Sequence, residues 1–103
     1  MIHVLATIEL SPGTHGEFLG HFHQVMKLVR DEAGCLEYGP AIDVQTSIPA
    51  QGELRPNVVT VIEKWASIEH LERHLIAPHM MEYRGKVKSL VQNVTLRILE
   101  PAE

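Results

Sequence analysis

The chain has 103 residues, 45% hydrophobic and 21% charged, with a net charge of −4 and only two Phe, two Tyr and one Trp. That bounds it to a single domain, residues 1–103, whose thin aromatic core suits completion by an oligomeric partner. The acidic balance excludes a nucleic-acid partner, no apolar window is long enough to span a membrane, and a lone Cys35 excludes an internal disulfide. With no charged start leading into an apolar run, no signal peptide is expected, and a soluble cytoplasmic protein is the reading.

From Ile2 to Leu10 the residues alternate, with Ile2, Val4, Ala6, Ile8 and Leu10 on one side, which predicts a strand. Ser11-Pro12-Gly13 stops it. Thr14 with Glu17 three residues later has the form of a capping box, and Phe18, Phe22, Val25, Met26 and Val29 follow at helical spacing. Gly34 stands where a helix ends on a left-handed residue. Cys35 to Thr46 predicts a second strand, bulged at Gly39-Pro40 or lying at an edge because proline donates no ladder bond. Residues 47–56, with Pro49, Gly52 and Pro56, predict a mobile loop.

Asn57 to Trp65 is apolar on both faces, with Val58 and Ile62 on one and Val59, Val61 and Trp65 on the other. Ser67 caps a short helix carrying Ile68, Leu71 and Leu75, which Ala77-Pro78 breaks. Pro78 suits the first position of a third helix with Met80, Tyr83, Val87 and Leu90 buried, and Val91 to Leu99 predicts a last strand. The order β-α-β-β-α-(α)-β is that of a ferredoxin-like α+β fold, an antiparallel sheet with helices on one face. Helices cover only one face, so the apolar residues on the other predict an interface: a homodimer through the sheet face, forming a dimeric α+β barrel.

Three of the seven histidines lie in the stretch His70 to His79. His70 and His74 are spaced for a zinc site, but Leu71 stands where a metalloprotease would carry its glutamate, and no metal is expected. His21 and His23, two apart on a helix, face away from each other and read as surface. Asp43, Glu63 and Tyr38 fall on strands that could line a pocket, where a carboxylate would have a raised pKa; the plainer reading has Glu63 and Lys64 solvated at a strand end. Trp65 could wall a site for a flat ligand, with Met80 and Met81 beside it. No glycine-rich phosphate loop, serine elbow or activated cysteine is present, so no cofactor is expected and a shaped pocket with an acid–base residue must carry any chemistry.

Pro12-Gly13, Gly34-Cys35-Leu36-x-Tyr38, Glu63-x-Trp65-x-Ser67-x-Glu69, His74 and Pro78-His79, in this order over nearly the whole chain, resemble the antibiotic biosynthesis monooxygenase (ABM) domains, which include small quinol monooxygenases. The resemblance implies the same ferredoxin-like subunit and barrel dimer. It also implies a monooxygenase without metal, haem or flavin, in which a small quinol or phenolic aromatic reduces dioxygen itself. It places Trp65, Tyr38, His79 and Arg84 about the substrate, beside the Met80 already nominated as a cavity wall, with His74 as the general-base candidate against the plainer reading of a surface imidazole. Ala6, His74 and Arg84 stand where haem-degrading relatives carry Asn, Trp and His, and Val61 and Leu71 stand where polyketide-oxidising relatives carry Asn and Tyr. The substrate therefore stays open, and so do an isomerase or lyase acting on a small oxygenated metabolite and a non-catalytic ligand-binding or stress protein.

Overall fold

A computed structural model describes all of residues 1–103. The elements run β1 (Ile2–Leu10), α1 (His15–Arg30), β2 (Cys35–Ala41), β3 (Val58–Trp65), α2 (Ile68–Leu75), α3 (Pro78–Val87) and β4 (Val91–Leu99). The four strands form one antiparallel sheet in the order β2-β3-β1-β4, the ferredoxin-like arrangement expected from the sequence. No helix is long and apolar enough to cross a membrane.

Alternation fixes which residues face the helices. Ile2, Val4, Ala6, Ile8 and Leu10 of β1 and Val59, Val61, Glu63 and Trp65 of β3 are buried on that side. Helix α1 answers with Phe18, Phe22, Val25 and Val29, and α3 with Met80, Tyr83 and Val87. Phe22 stacks on Tyr38 with ring centres 5.3 Å apart, and Tyr83 meets Phe18 edge-on at 6.3 Å. Fully burying one such ring stabilises the fold by roughly 1.5–3 kcal/mol, so these four aromatics hold α1 and α3 to the sheet.

Three local expectations need correction. Thr14 forms no capping box: its hydroxyl donates to the Ser11 carbonyl at 2.7 Å, and its backbone (φ −102°, ψ 3°) is not extended. The turn decides this, because Pro12 and Gly13 (φ +83°) suit the two central positions of a turn closed by Thr14 N–H on Ser11 C=O at 3.2 Å. Strand β2 ends at Ala41 rather than Thr46; it is an edge strand, and its register shift lies between Cys35 and Glu37 while Pro40 pairs in line with Val61. Asp43 is therefore not on a strand. It sits at the start of the loop, where its carboxylate takes Arg55 Nη2 at 2.7 Å and Nε at 2.9 Å, which closes the loop on itself.

Gly34 is the position where glycine is required. Its φ is +81°, and a Cβ there would run into the ring of His70. Its carbonyl accepts from Ala66 N–H at 2.8 Å, joining the α1–β2 turn to the end of β3. The helical layer does not reach β4. Val94, Leu96 and Ile98 pair with Ile8, Ala6 and Val4 on the helix side, yet all three are substantially exposed. A cleft is left between α3 and that edge of the sheet.

Candidate active site

That cleft opens into a cavity of about 460 Å3, lined mostly by apolar residues and within the size range of small-molecule sites. The strands supply Ala6, Ile8, Tyr38, Val61, Glu63, Val91, Val94 and Leu96. The helices supply Phe18, Phe22, His74, Leu75, Met80, Tyr83, Arg84 and Val87, with Lys88 just beyond α3. Alternation on β3 and helical phase on α2 bring Glu63 and His74 into a mostly apolar wall, whose other charged residues are Arg84 and Lys88.

Glu63 is 6% exposed, not solvated at a strand end. Its phase matches Val59, Val61 and Trp65, which points the carboxyl inward. Trp65 Nε1–H donates to its Oε1 at 2.9 Å. Burial pushes the Glu63 pKa up to about 7; the Trp65 bond opposes that rise and the nearby charge of Glu32 adds to it. At neutral pH this carboxyl therefore exists in both protonation states, as a proton donor or acceptor requires.

His74 is 1% exposed, so it is no surface imidazole. It occupies the second turn of α2 with Leu71, whereas Ile68, expected on the buried stripe, is exposed. The ring lies 4.6 Å from Trp65 and 5.4 Å from Tyr38, centre to centre. Its Nδ1 bonds to Glu32 Oε2 at 2.9 Å. Burial lowers the His74 pKa, while the hydrogen bond and charge of Glu32 act to raise it. Since the carboxylate only accepts, the proton sits on Nδ1 and Nε2 is left as an acceptor. Nε2 has no protein partner, and the one sealed, unpartnered side-chain nitrogen or oxygen in the molecule is His21 Nδ1, so His74 Nε2 is open to the cavity. The same reasoning opens Glu63 Oε2, and the hydroxyls of Tyr38 and Tyr83, two more residues of the lining, have no protein partner. Both tyrosines titrate well above their ordinary range, chiefly through burial, and stay neutral donors.

The other expected residues divide. Tyr38, Met80 and Arg84 line the cavity, with Arg84 Nη2 held by the Leu75 carbonyl at 2.6 Å. Trp65 does not: fully buried, it stands behind Glu63 and His74 and braces both. His79 is also outside the cavity; its Nε2 meets Glu32 Oε2 at 2.7 Å and its ring borders a small hollow between α1 and α3. Met81 is exposed. His70 turns to Ser67 Oγ at 2.7 Å, so His70 and His74 do not converge on one point. Of the two readings the sequence leaves open for Glu63, the pocket carboxylate holds and the solvated strand end does not; Glu32 carries no local mark, because a turn residue that contacts His74, 42 positions away, has none to give.

Family comparison agrees with this architecture. The model described as "antibiotic biosynthesis monooxygenase" matches residues 1–86. A protein of Escherichia coli K12 named "Probable quinol monooxygenase YgiN" is 38% identical over 103 residues, 98% of each chain. Among solved structures, PA3566 from Pseudomonas aeruginosa has a TM-score of 0.80 at 25% identity, covering 99% of this chain and 94% of that one. Rv0793 from Mycobacterium tuberculosis, also at a TM-score of 0.80, is 20% identical over 99% of this chain and 95% of its own, and shows the shared fold. On the matched model and a relative of nearly equal length, the chain belongs to the antibiotic biosynthesis monooxygenase family.

Proposed function

We propose that this protein is a monooxygenase that oxidises a small quinol or phenol with dioxygen in the cavity between sheet and helices, with no resident cofactor. Family membership and the likeness to YgiN support a monooxygenase-type function. The observation that carries the finer reading is a mostly apolar cavity with two proton-transfer groups in its wall, Glu63 titrating near neutrality and His74 with a free Nε2. An aromatic ring fits the apolar walls, and an imidazole can take a phenolic proton at physiological pH.

His74 Nε2 accepts the hydroxyl proton, leaving an electron-rich phenolate. The phenolate passes one electron to dioxygen, and the resulting radical pair closes a ring carbon–oxygen bond to give a peroxide anion, which takes back the proton held on His74 Nε2 and becomes a hydroperoxide. Breaking the O–O bond with loss of the ring hydrogen yields a quinone carbonyl and water. Phenol and dioxygen thus become quinone and water, with one oxygen atom in each product. Glu63, present in both protonation states, supplies the proton for water and receives the one leaving the ring. Tyr38 and Tyr83 offer hydroxyl donors to the substrate oxygens.

A second copy of the chain belongs to this proposal, packed on the helix-free sheet face where Leu5 and Ile62 are cross-strand neighbours, each 39% exposed. Light scattering tests it, and the mass of a monomer would end it. Oxygen uptake with menadiol above its autoxidation rate, abolished in His74→Ala, tests the reaction. Glu63 and His74 would also serve an isomerase moving a proton on a small oxygenated metabolite. Turnover of such a substrate without oxygen uptake would favour that reading.

A further inference from the structure

The reading of His74 as the base leaves Glu32 and His79 without a role, yet both are built into the same hydrogen-bond chain. Glu32 lies in the turn after α1, where its N–H donates to Val29 C=O at 2.9 Å and its carbonyl accepts from Cys35 N–H at 3.2 Å. From that anchored backbone the carboxylate reaches the corner between α2 and α3. A single oxygen, Oε2, meets His74 Nδ1 at 2.9 Å and His79 Nε2 at 2.7 Å. The Glu32 side chain is 14% exposed, and that of His79 is 23% exposed.

We propose that Glu32 is the positioning residue of His74: it holds the imidazole with Nδ1 protonated and Nε2 toward the cavity, and His79 moderates it by drawing on the same oxygen. The proposal rests on the preceding reading only for its catalytic consequence. A carboxylate behind an imidazole fixes the tautomer and stabilises the imidazolium that forms when Nε2 takes a proton. One oxygen accepting from two imidazoles has its charge divided between them, so His79 weakens the hold on His74. The other groups facing His74 are Tyr38 from β2, Glu63 and Trp65 from β3, and Arg84 from α3. None of them bonds Nδ1. Glu32 therefore favours the protonated ring, while His79 and Arg84 oppose it.

The two variants should move His74 in opposite directions. In 15N-histidine-labelled protein, the parent should show the Nδ1–H tautomer at His74. Glu32→Gln should lower its proton affinity roughly tenfold, the loss of one charge-assisted bond, and weaken the tautomer preference. His79→Ala should raise that affinity, by roughly twofold to tenfold, because Oε2 is then left to His74 alone. With menadiol as substrate, the acid limb of kcat/KM should follow, toward lower pH in the first variant and higher pH in the second. An unchanged tautomer and midpoint in Glu32→Gln, or displacement of both variants in one direction, overturns the proposal. Opposite spectroscopic shifts with a stationary acid limb uphold Glu32 as the positioning residue and refute His74 as the base.

Discussion

Glu63→Gln should make the protein more stable above neutral pH and flatten part of its pH dependence. The parent carboxyl is 6% exposed, and its pKa is pushed up from 4.5 to about 7, chiefly by burial. Between those values the folded chain holds a proton that the unfolded chain releases. Stability contributed at this group is therefore greatest below about pH 4.5 and is lost as pH rises through 7. The full loss is ~3 kcal/mol, a large share of the stability of a domain this size. Glutamine keeps an acceptor for Trp65 Nε1–H and points its amide toward the cavity, so the variant removes the ionisation with little change of shape. Urea unfolding at matched protein concentration, followed by the fluorescence of the single tryptophan, gives the difference directly. The variant should lead by about 2–3 kcal/mol near pH 8 and by much less near pH 4. Its turnover should fall roughly 10²–10⁴-fold if Glu63 moves protons. A variant whose stability declines with pH as steeply as the parent's would refute the placement of an ionisable carboxyl in the apolar wall.

His74→Asn should reduce kcat with menadiol by roughly 10²–10⁴-fold while KM changes far less, and an unchanged kcat would remove His74 from the mechanism. Trp65→Phe deletes the N–H that stabilises the Glu63 carboxylate, so its titration, followed by carboxyl 13C shifts, should move above 7. A downward move would contradict that bond. Gly34→Ala forces a side chain into φ +81° and against His70, and should cost roughly 1–3 kcal/mol or more in urea unfolding; a neutral effect would speak against the turn geometry.

Most of the fold can be read from periodicity and punctuation. The two-residue period of β1 and β3, the turn at Pro12-Gly13, the left-handed Gly34 and the helix start at Pro78 are local facts, and the chain realises them. The same period also pointed Glu63 inward with Val61 and Trp65. Its place near the strand end argues for solvent, but burial keeps the group partly protonated at neutral pH and a tryptophan N–H serves the carboxylate, so strand phase prevails. Helix α2 shows the opposite limit. With only two turns, its apolar positions leave the phase ambiguous, and the buried pair is Leu71 and His74 rather than a stripe through Ile68. Glu32 was not legible at all, because its meaning lies in contacts across 42 and 47 positions that only the assembled α1–β2 turn and the α2–α3 corner create. Trp65 carried the family resemblance, yet it serves the site from behind, as donor to Glu63 and stacking partner of His74.

The central claim is that the cavity lets an aromatic diol take one atom from dioxygen without help from a cofactor. Turnover of menadiol under ¹⁸O₂, with product and solvent read by mass spectrometry, tests it most directly. One heavy oxygen should be newly bound to the naphthoquinone ring and the other in water, at a rate above autoxidation that depends on Glu63 and His74. Unlabelled menadione, with all the label recovered in peroxide or formed no faster than without protein, would contradict it.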